Sequence, residues 1–307
     1  EQLASKLIGL LAYQQYMQSK GEKVKVDKAI RPIIHRLTNH QNKHQLWSWW
    51  GNSENTSFWM SAHILRALKM AQDAGYPVEL NLNGLKVEYA HTRPYRGMKL
   101  EDIEILHALH EWKVEADYSS AVRLLEPFVR QLEQKEDSLA NRNKYYRPLS
   151  YLKEKLLLWE IKQQVDSVNV GDSVRPYLKK DMLEGVYCDD GRRTYYWEGN
   201  QMINTLIAYR IIKNDPSLCK LKENMQLYIL RTKERGWNTY QASSAVATVL
   251  TDLLAGSGGM SGTSVSVSGK DHQRITEFPY HARLTAGDSL LISKTGKEPL
   301  LYSVYSM

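Results

Sequence analysis

Apolar residues recur at spacings of three and four along most of the chain, the pattern of helices that bury one face. Leu3, Leu7, Leu10 and Leu11 form a first stripe, and Ile64, Leu65 and Leu68 form a second that ends at Gly75. Further stripes follow at Ile103, Leu106, Leu109 and Trp112, at Phe128, Val129 and Leu132, and at Leu152, Leu156 and Trp159. Ile203, Leu206, Ile207 and Ile211 make another face; Leu221, Met225 and Tyr228 precede a last one at Ala245, Val249 and Leu253. With weaker stretches over 29–37 and 174–183, the pattern predicts about ten or eleven helices in an all-α body covering residues 1–255. Few connections between them show the alternation of a strand.

Three passages are alike. Each has an aromatic-rich extended stretch, a polar turn, and then a helix rich in small and apolar residues. They are Leu46–Gly51 leading into Ser57–Leu65, Gly185–Trp197 leading into Asn200–Ala208, and Gly236–Gln241 leading into Ala242–Leu250. Recurring units of this kind argue for a repetitive helical assembly. Small residues let neighbouring helices approach closely, and aromatic stretches can plug the end of the array. The expected fold is mainly α, an α/α toroid: a closed ring of alternating inner and outer helices.

At 256–262 the run Gly-Ser-Gly-Gly-Met-Ser-Gly reads as a flexible linker. Beyond it the period changes to two, with Val265 and Val267, then Leu290 and Ile292, then Leu301, Val304 and Tyr305. Turn signals fall at Ala286-Gly287-Asp288 and Thr295-Gly296-Lys297. Residues 263–307 are therefore expected to form a small β module, too short for a core of its own and completed by strands from elsewhere.

Composition adds little to this picture. Of 307 residues, 42% are hydrophobic and 24% charged, as in ordinary globular proteins. The formal charge of +7 comes from scattered basic residues, which disfavours a nucleic-acid partner. No apolar run approaches the roughly 18 residues that cross a bilayer. Cys188 and Cys219 are too far apart for a local metal pattern; they read either as one disulfide or, preferably, as two buried free thiols. Trp47, Trp49, Trp50, Tyr195, Tyr196 and Trp197 read as core plugs in preference to a carbohydrate or isoprenoid pocket. Asp189-Asp190, followed by Arg192-Arg193, reads as a solvated turn and not as a metal site.

The opening Glu1-Gln2, followed at once by an apolar helix, resembles the second half of the Cys-x-Glu-Gln thioester signature of the alpha-macroglobulin and complement family. Other passages resemble the same family in the same order: Trp49-Trp50-Gly51 before Ser57–Gly75, Ala67–Tyr76, Arg231–Leu250 with its Gly236-Trp237, and Leu300-Leu301-Tyr302-Ser303-Val304. The resemblance covers essentially the whole chain and is closest to the bacterial branch. It implies a thioester-type toroid followed by part of a CUB-like β module, cut from a longer parent. Gln2 would then be the acyl donor, flanked by Glu1, with its cysteine just upstream of residue 1.

Such a domain traps proteases once and turns nothing over; it is not an enzyme and needs no cofactor or metal. The resemblance further implies proteases and neighbouring macroglobulin-type domains as partners, and an extracytoplasmic location, periplasmic or at the cell surface, with a lipoprotein anchor on the parent conceivable. In complement proteins a histidine assists transfer to hydroxyls; His107 and His110 lie in a suitable helix, and no motif selects either. One rival is a toroid interaction domain without thioester chemistry. Another is a glycoside hydrolase or cyclase on a fold like that of terpenoid cyclases and protein prenyltransferases. A hydrolase needs two inward carboxylates, yet the helices after the aromatic turns carry Ser, Thr, Asn and Ala. A cyclase needs an Asp-rich helix start, which is missing.

Overall fold

The structure is a computed structural model that describes residues 1–49, 55–89, 97–194, 200–213, 215–233, 236–256, 264–268, 272–275, 283, 285 and 291–295. The helices are α1 (Gln2–Ser19), α2 (Asp27–Thr38), α3 (Phe58–Asp73), α4 (Asn83–Val87), α5 (Asp102–Glu111), α6 (Tyr118–Arg142), α7 (Leu152–Val165), α8 (Gly171–Val174), α9 (Gln201–Ile212), α10 (Lys222–Thr232), α11 (Thr239–Ala245) and α12 (Thr251–Gly256). A π-helical turn, Val246–Leu250, joins α11 to α12.

The odd-numbered helices pack in a cycle. Helix α1 touches α3, α3 touches α5, α5 touches α7, α7 touches α9, α9 touches α11, and α11 returns to α1. That last contact closes the ring, as the repeated passages predict. Four helices lie outside it: α2 against α1 and α3, α6 against α5 and α7, and α8 and α10 against α9, while α12 continues α11 and packs on α1. Burial follows position. Covered on both sides, inner α3 buries every residue from Met60 to Leu65, and inner α9 buries every residue from Met202 to Tyr209. Outer α2 buries one stripe only, Ile30, Ile33, Ile34 and Leu37.

Side-chain pairs between inner helices fix their direction. Residues near the helix starts pair with one another, Ser5 with His63 and Ser243, and Glu104 with Lys153. Residues near the ends also pair, Arg66 with Glu111 and Glu160 with Arg210. Six inner helices among the described residues thus run parallel, with all their N-termini on one rim.

Local chemistry explains the element ends. The Asn238 side chain accepts from the Gln241 N–H while the Gln241 side chain accepts from the Asn238 N–H, a capping box that starts α11. Asn200 caps α9 by accepting from the Ile203 N–H. Gly75, at φ +87°, ends α3 and turns Tyr76 back, so that its hydroxyl donates to Asp27 at the start of α2.

Several expectations need correction. Residues 174–183 do not continue as a helix. Pro176 sits in a 3-10 turn, Arg175–Tyr177, and the chain then forms a hairpin of β1 (Leu178–Lys180) and β2 (Val186–Cys188) packed on α9 and α10. Both cysteines are free, but only Cys188 is buried; Cys219 is exposed, because it falls in a surface 3-10 turn. Trp47 is a plug, 3% exposed, with its indole N–H donating to the Leu37 carbonyl at 2.8 Å. Trp49 is not, being 56% exposed. Trp50 and 195–197 lie outside the described residues. Asp189 and Asp190 are half-buried instead of solvated: Lys179 lies 3.3 Å from Asp189, and the Ser150 hydroxyl donates to Asp190 at 2.7 Å.

The C-terminal strands are β3 (Ser264–Ser268), β4 (His272–Ile275) and β5 (Leu291–Thr295), an antiparallel sheet in the order β4-β3-β5. Val265 pairs with Ile275, and both are buried. Strand β4 was not expected from the pattern, and Leu290, Leu301, Val304, Tyr305 and residues 257–262 of the linker lie outside the described residues. The core prediction is direct. Leu106 on α5 is 1% exposed, so Leu106→Ala should lower stability by about 2–5 kcal/mol in denaturant unfolding.

Candidate functional site

The first turn of α1 stands on the rim shared by the inner-helix N-termini. Gln2 is exposed there, while Ser5, one turn on, is buried. The Ser5 hydroxyl donates to the Glu1 carboxylate at 2.8 Å. Its oxygen lies 3.0 Å from His63 Nε2 and accepts from the Ser243 hydroxyl at 3.0 Å. A hydroxyl has one proton, and here Glu1 takes it; the His63 contact therefore assigns the Nε2–H tautomer to that ring. Burial, reinforced by the nearby positive charge of Arg66, pulls the His63 pKa down to about 3. The ring is neutral and serves as a donor.

An aromatic wall rises beside this node. The His63 and Tyr240 rings meet edge to face at 4.9 Å, Tyr240 meets Trp59 at 5.4 Å, and Trp59 meets the exposed Trp49 at 5.6 Å. The rim thus presents an exposed amide, Gln2, on a helix whose two neighbours, α3 and α11, carry Trp59 and Tyr240 in their own first turns. Ser5 is buried, and its hydroxyl is shared among Glu1, His63 and Ser243, the last also 3.1 Å from the Tyr240 carbonyl.

Below the rim the ring's interior is charged, which the sequence reading did not anticipate. Glu160 accepts from Arg210 Nε at 2.8 Å and Nη2 at 2.7 Å, a two-pronged pair, and contacts His107 Nε2 at 2.8 Å. Lys153 donates to Glu104 at 2.6 Å, and Arg66 donates to Glu111 at 3.2 Å. Burial raises the pKa of Glu160 and of Glu104, but Arg210 and His107 outweigh it at the first, and Lys153 at the second, so both fall below the usual range. Burial lowers that of His107, and the carboxylates of Glu160 and Glu111 outweigh it, so the net shift is upward. Inward carboxylates therefore do exist, contrary to the reading of the aromatic-turn helices alone. They are held ionised by cations, whereas a glycoside hydrolase keeps one carboxyl protonated at a raised pKa.

His107 and His110 do not stand beside Gln2. His107 belongs to the charged layer, reached by Arg66 one helical turn beyond His63. His110 packs edge-on against Tyr118 of α6 at 5.0 Å. The residues that motif reasoning missed, Ser5, His63, Ser243 and the charged layer, carry only a weak signal: a titratable side chain set within an apolar run, such as His63 between Ala62 and Ile64 or Arg210 before Ile211 and Ile212. Among the described residues, no group of three or more His, Cys, Asp or Glu side chains could hold a metal ion, and no helix is long and apolar enough to cross a membrane.

Comparison with solved structures returns a likeness in fold over nearly the whole chain. An Escherichia coli alpha-2-macroglobulin activated by trypsin matches with a TM-score of 0.51 at 13% identity, over 95% of this chain and 19% of that one. A Salmonella alpha-2-macroglobulin reacted with methylamine matches at 0.57 and 13%, over 95% and 18%. An Escherichia coli alpha-2-macroglobulin activated by porcine elastase matches at 0.53 and 14%, over 95% and 24%. The chain thus spans about a fifth of the length of the chains it matches. No protein-family model and no curated protein matches the sequence. The fold is that of a segment of bacterial alpha-2-macroglobulins, which agrees with the resemblance in sequence.

Two outcomes follow from the charges. Removing one member of a buried pair strands the other, so Glu160→Ala should cost about 3–5 kcal/mol in chemical unfolding. The second concerns acid. His63 has its folded pKa below the unfolded value of 6.5, so the unfolded chain binds more protons between those values and stability falls as pH drops through that window. The effect is on the order of 5 kcal/mol when complete. His110, also lowered, acts in the same direction. His107, raised, acts oppositely, its contribution being lost as pH rises through its folded pKa. Unfolding free energy measured from pH 7 down to 4.5, above the range where the carboxylates dominate, should fall less steeply in His63→Gln, which keeps a donor toward Ser5.

Proposed function

We propose that this chain is the thioester-type domain of an alpha-macroglobulin-like protease trap, with Gln2 as its acyl donor and Glu1 beside it. The reading rests on one observation above all: the first residues of α1 emerge on the shared N-terminal rim of a closed ring, with Gln2 exposed there. The fold likeness to alpha-2-macroglobulins activated by trypsin or elastase, and to one reacted with methylamine, supports it.

The chemistry is acyl transfer from a strained-leaving-group bond. A cysteine thiol preceding Glu1 by two positions would add to the Gln2 side-chain amide carbon; the carbon–nitrogen bond breaks, ammonia leaves carrying the thiol proton, and a thioester remains. A lysine amine of a captured protease attacks the Gln2 carbonyl carbon, the carbon–sulfur bond breaks, and the amine proton passes to the departing thiolate. The products are an amide cross-link and a free thiol. The event happens once per molecule, so the domain is a reagent and not a catalyst. Water must be kept off the acyl group until then; the rings of Trp49, Trp59 and Tyr240 supply one apolar flank, and neighbouring macroglobulin-type domains with the C-terminal strands would cover the rest. The working place is outside the cytoplasm, where proteases are met, in the periplasm or at the cell surface.

The test uses the native protein that carries this chain, incubated with trypsin or elastase. The protease should co-elute with it in gel filtration and remain attached in denaturing electrophoresis, and Gln2→Ala should abolish the denaturant-resistant fraction. A complex that survives gel filtration but never denaturation would keep the trap and remove the acyl role of Gln2. A protease that elutes free and fully active would overturn both.

A further inference from the structure

We infer that the middle of the ring is a binding site for a small inorganic oxyanion of the phosphate or sulfate class. All six inner helices line one cavity there, of about 60 Å³. A single water needs roughly 10–15 Å³ by this measure, so there is room for a compact polyatomic ion.

The charge on its walls is lopsided. Arg66, Lys153 and Arg210 face the cavity, against Glu104 alone among the carboxylates. Glu111 and Glu160 hold the two arginines but do not line the space. Each cation has a carboxylate partner, so the layer as a whole is balanced; the lining itself, three cations against one carboxylate, presents a positive local potential that attracts an anion. Arg66 uses Nε on Glu111 and Nη2 on His107, and its Nη1 makes no hydrogen bond among the described residues. A guanidinium edge fits the spacing of two oxygens on an oxyanion better than it fits a halide.

Two further features converge on the same place. The hydroxyls of Ser244 and Thr248 line the cavity, half-buried, and make no hydrogen bond among the described residues. Thr248 lies in the π-helical turn Val246–Leu250, the one departure from α geometry in the final inner helix. Such turns are costly and recur where a helix wall is opened for a ligand. Access is available, since the side chains of Arg66 and Arg210 are 23% and 22% exposed. Nothing in this assignment depends on thioester chemistry.

The experiment is a thermal-unfolding titration of the full chain with sodium phosphate, and separately with sodium sulfate, at ionic strength held constant with sodium chloride. Saturable stabilisation at millimolar oxyanion is expected, with chloride alone inert. Ser244→Ala combined with Thr248→Val removes both hydroxyl donors at little cost in packing and should weaken the midpoint roughly tenfold or more, as for loss of hydrogen bonds to a charged group. Ser244→Leu, which pushes an isobutyl group into the cavity, should abolish the response. If neither oxyanion stabilises saturably, or if the midpoint is unchanged in the double variant, the assignment is overturned; the double variant decides should Ser244→Leu fail to fold.

Discussion

Everything in this molecule depends on the first helix meeting the last. Ser5 and Ser243 are 238 residues apart in sequence and share a hydrogen bond at the ring's seam. Until that contact forms, the inner helices are an open arc, and α1 and α11 each expose a face meant for the other. Loop-closure entropy grows only with the logarithm of length, so joining such distant ends costs little more than joining nearer ones. The penalty is kinetic, because a contact of this separation can stabilise the chain only after the intervening helices have formed. The buried Ser5–His63–Ser243 node then acts as a register pin: three small polar groups satisfy one another only when α1, α3 and α11 stand at one height.

The charged layer answers a packing problem. Six parallel helices around a common axis leave space at the centre, and apolar side chains reaching in from all sides would allow sliding between neighbours. Directional pairs such as Glu160 with Arg210 and Glu104 with Lys153 instead prescribe one vertical alignment per neighbouring pair. Their net contribution to stability is small once desolvation is subtracted, so alignment is the more persuasive reason for their presence. The same pairs turn mostly their cations toward the central cavity, and this is how a structural device comes to resemble a binding site.

The helices that were most legible in the sequence are those with burial on both sides. Residues 202–209 read as apolar and small throughout because α9 is enclosed, and Leu3 to Leu11 read as a stripe because α1 shows part of itself outside. The hairpin at 178–188 was not legible, since strands of three residues offer too few alternations to register as period two. Cys219 was misjudged because cysteine is usually buried, and nothing local signals that its turn faces outward. Of the candidate site, the position of Gln2 came from motif order, whereas Ser5, His63 and Ser243 became a group only through the ring's closure. Residues scattered over so long a stretch of chain meet through topology, which no local window encodes.

The rim's chemistry constrains what Gln2 can do. A frayed helix start would let a side-chain carbonyl wander, and an acyl group that wanders meets water. Here the first turn is tied down from within: Glu1 by Ser5, and Ser5 by two further helices. His63, although close by, is spent as a donor and resists protonation, so it neither competes as a base nor places a positive charge beside the reactive position. What remains at the surface is the Gln2 side chain, exposed on the first turn of α1. Under the proposed acyl role, the reactivity of Gln2 would be governed by how completely the rim and whatever covers it keep water away.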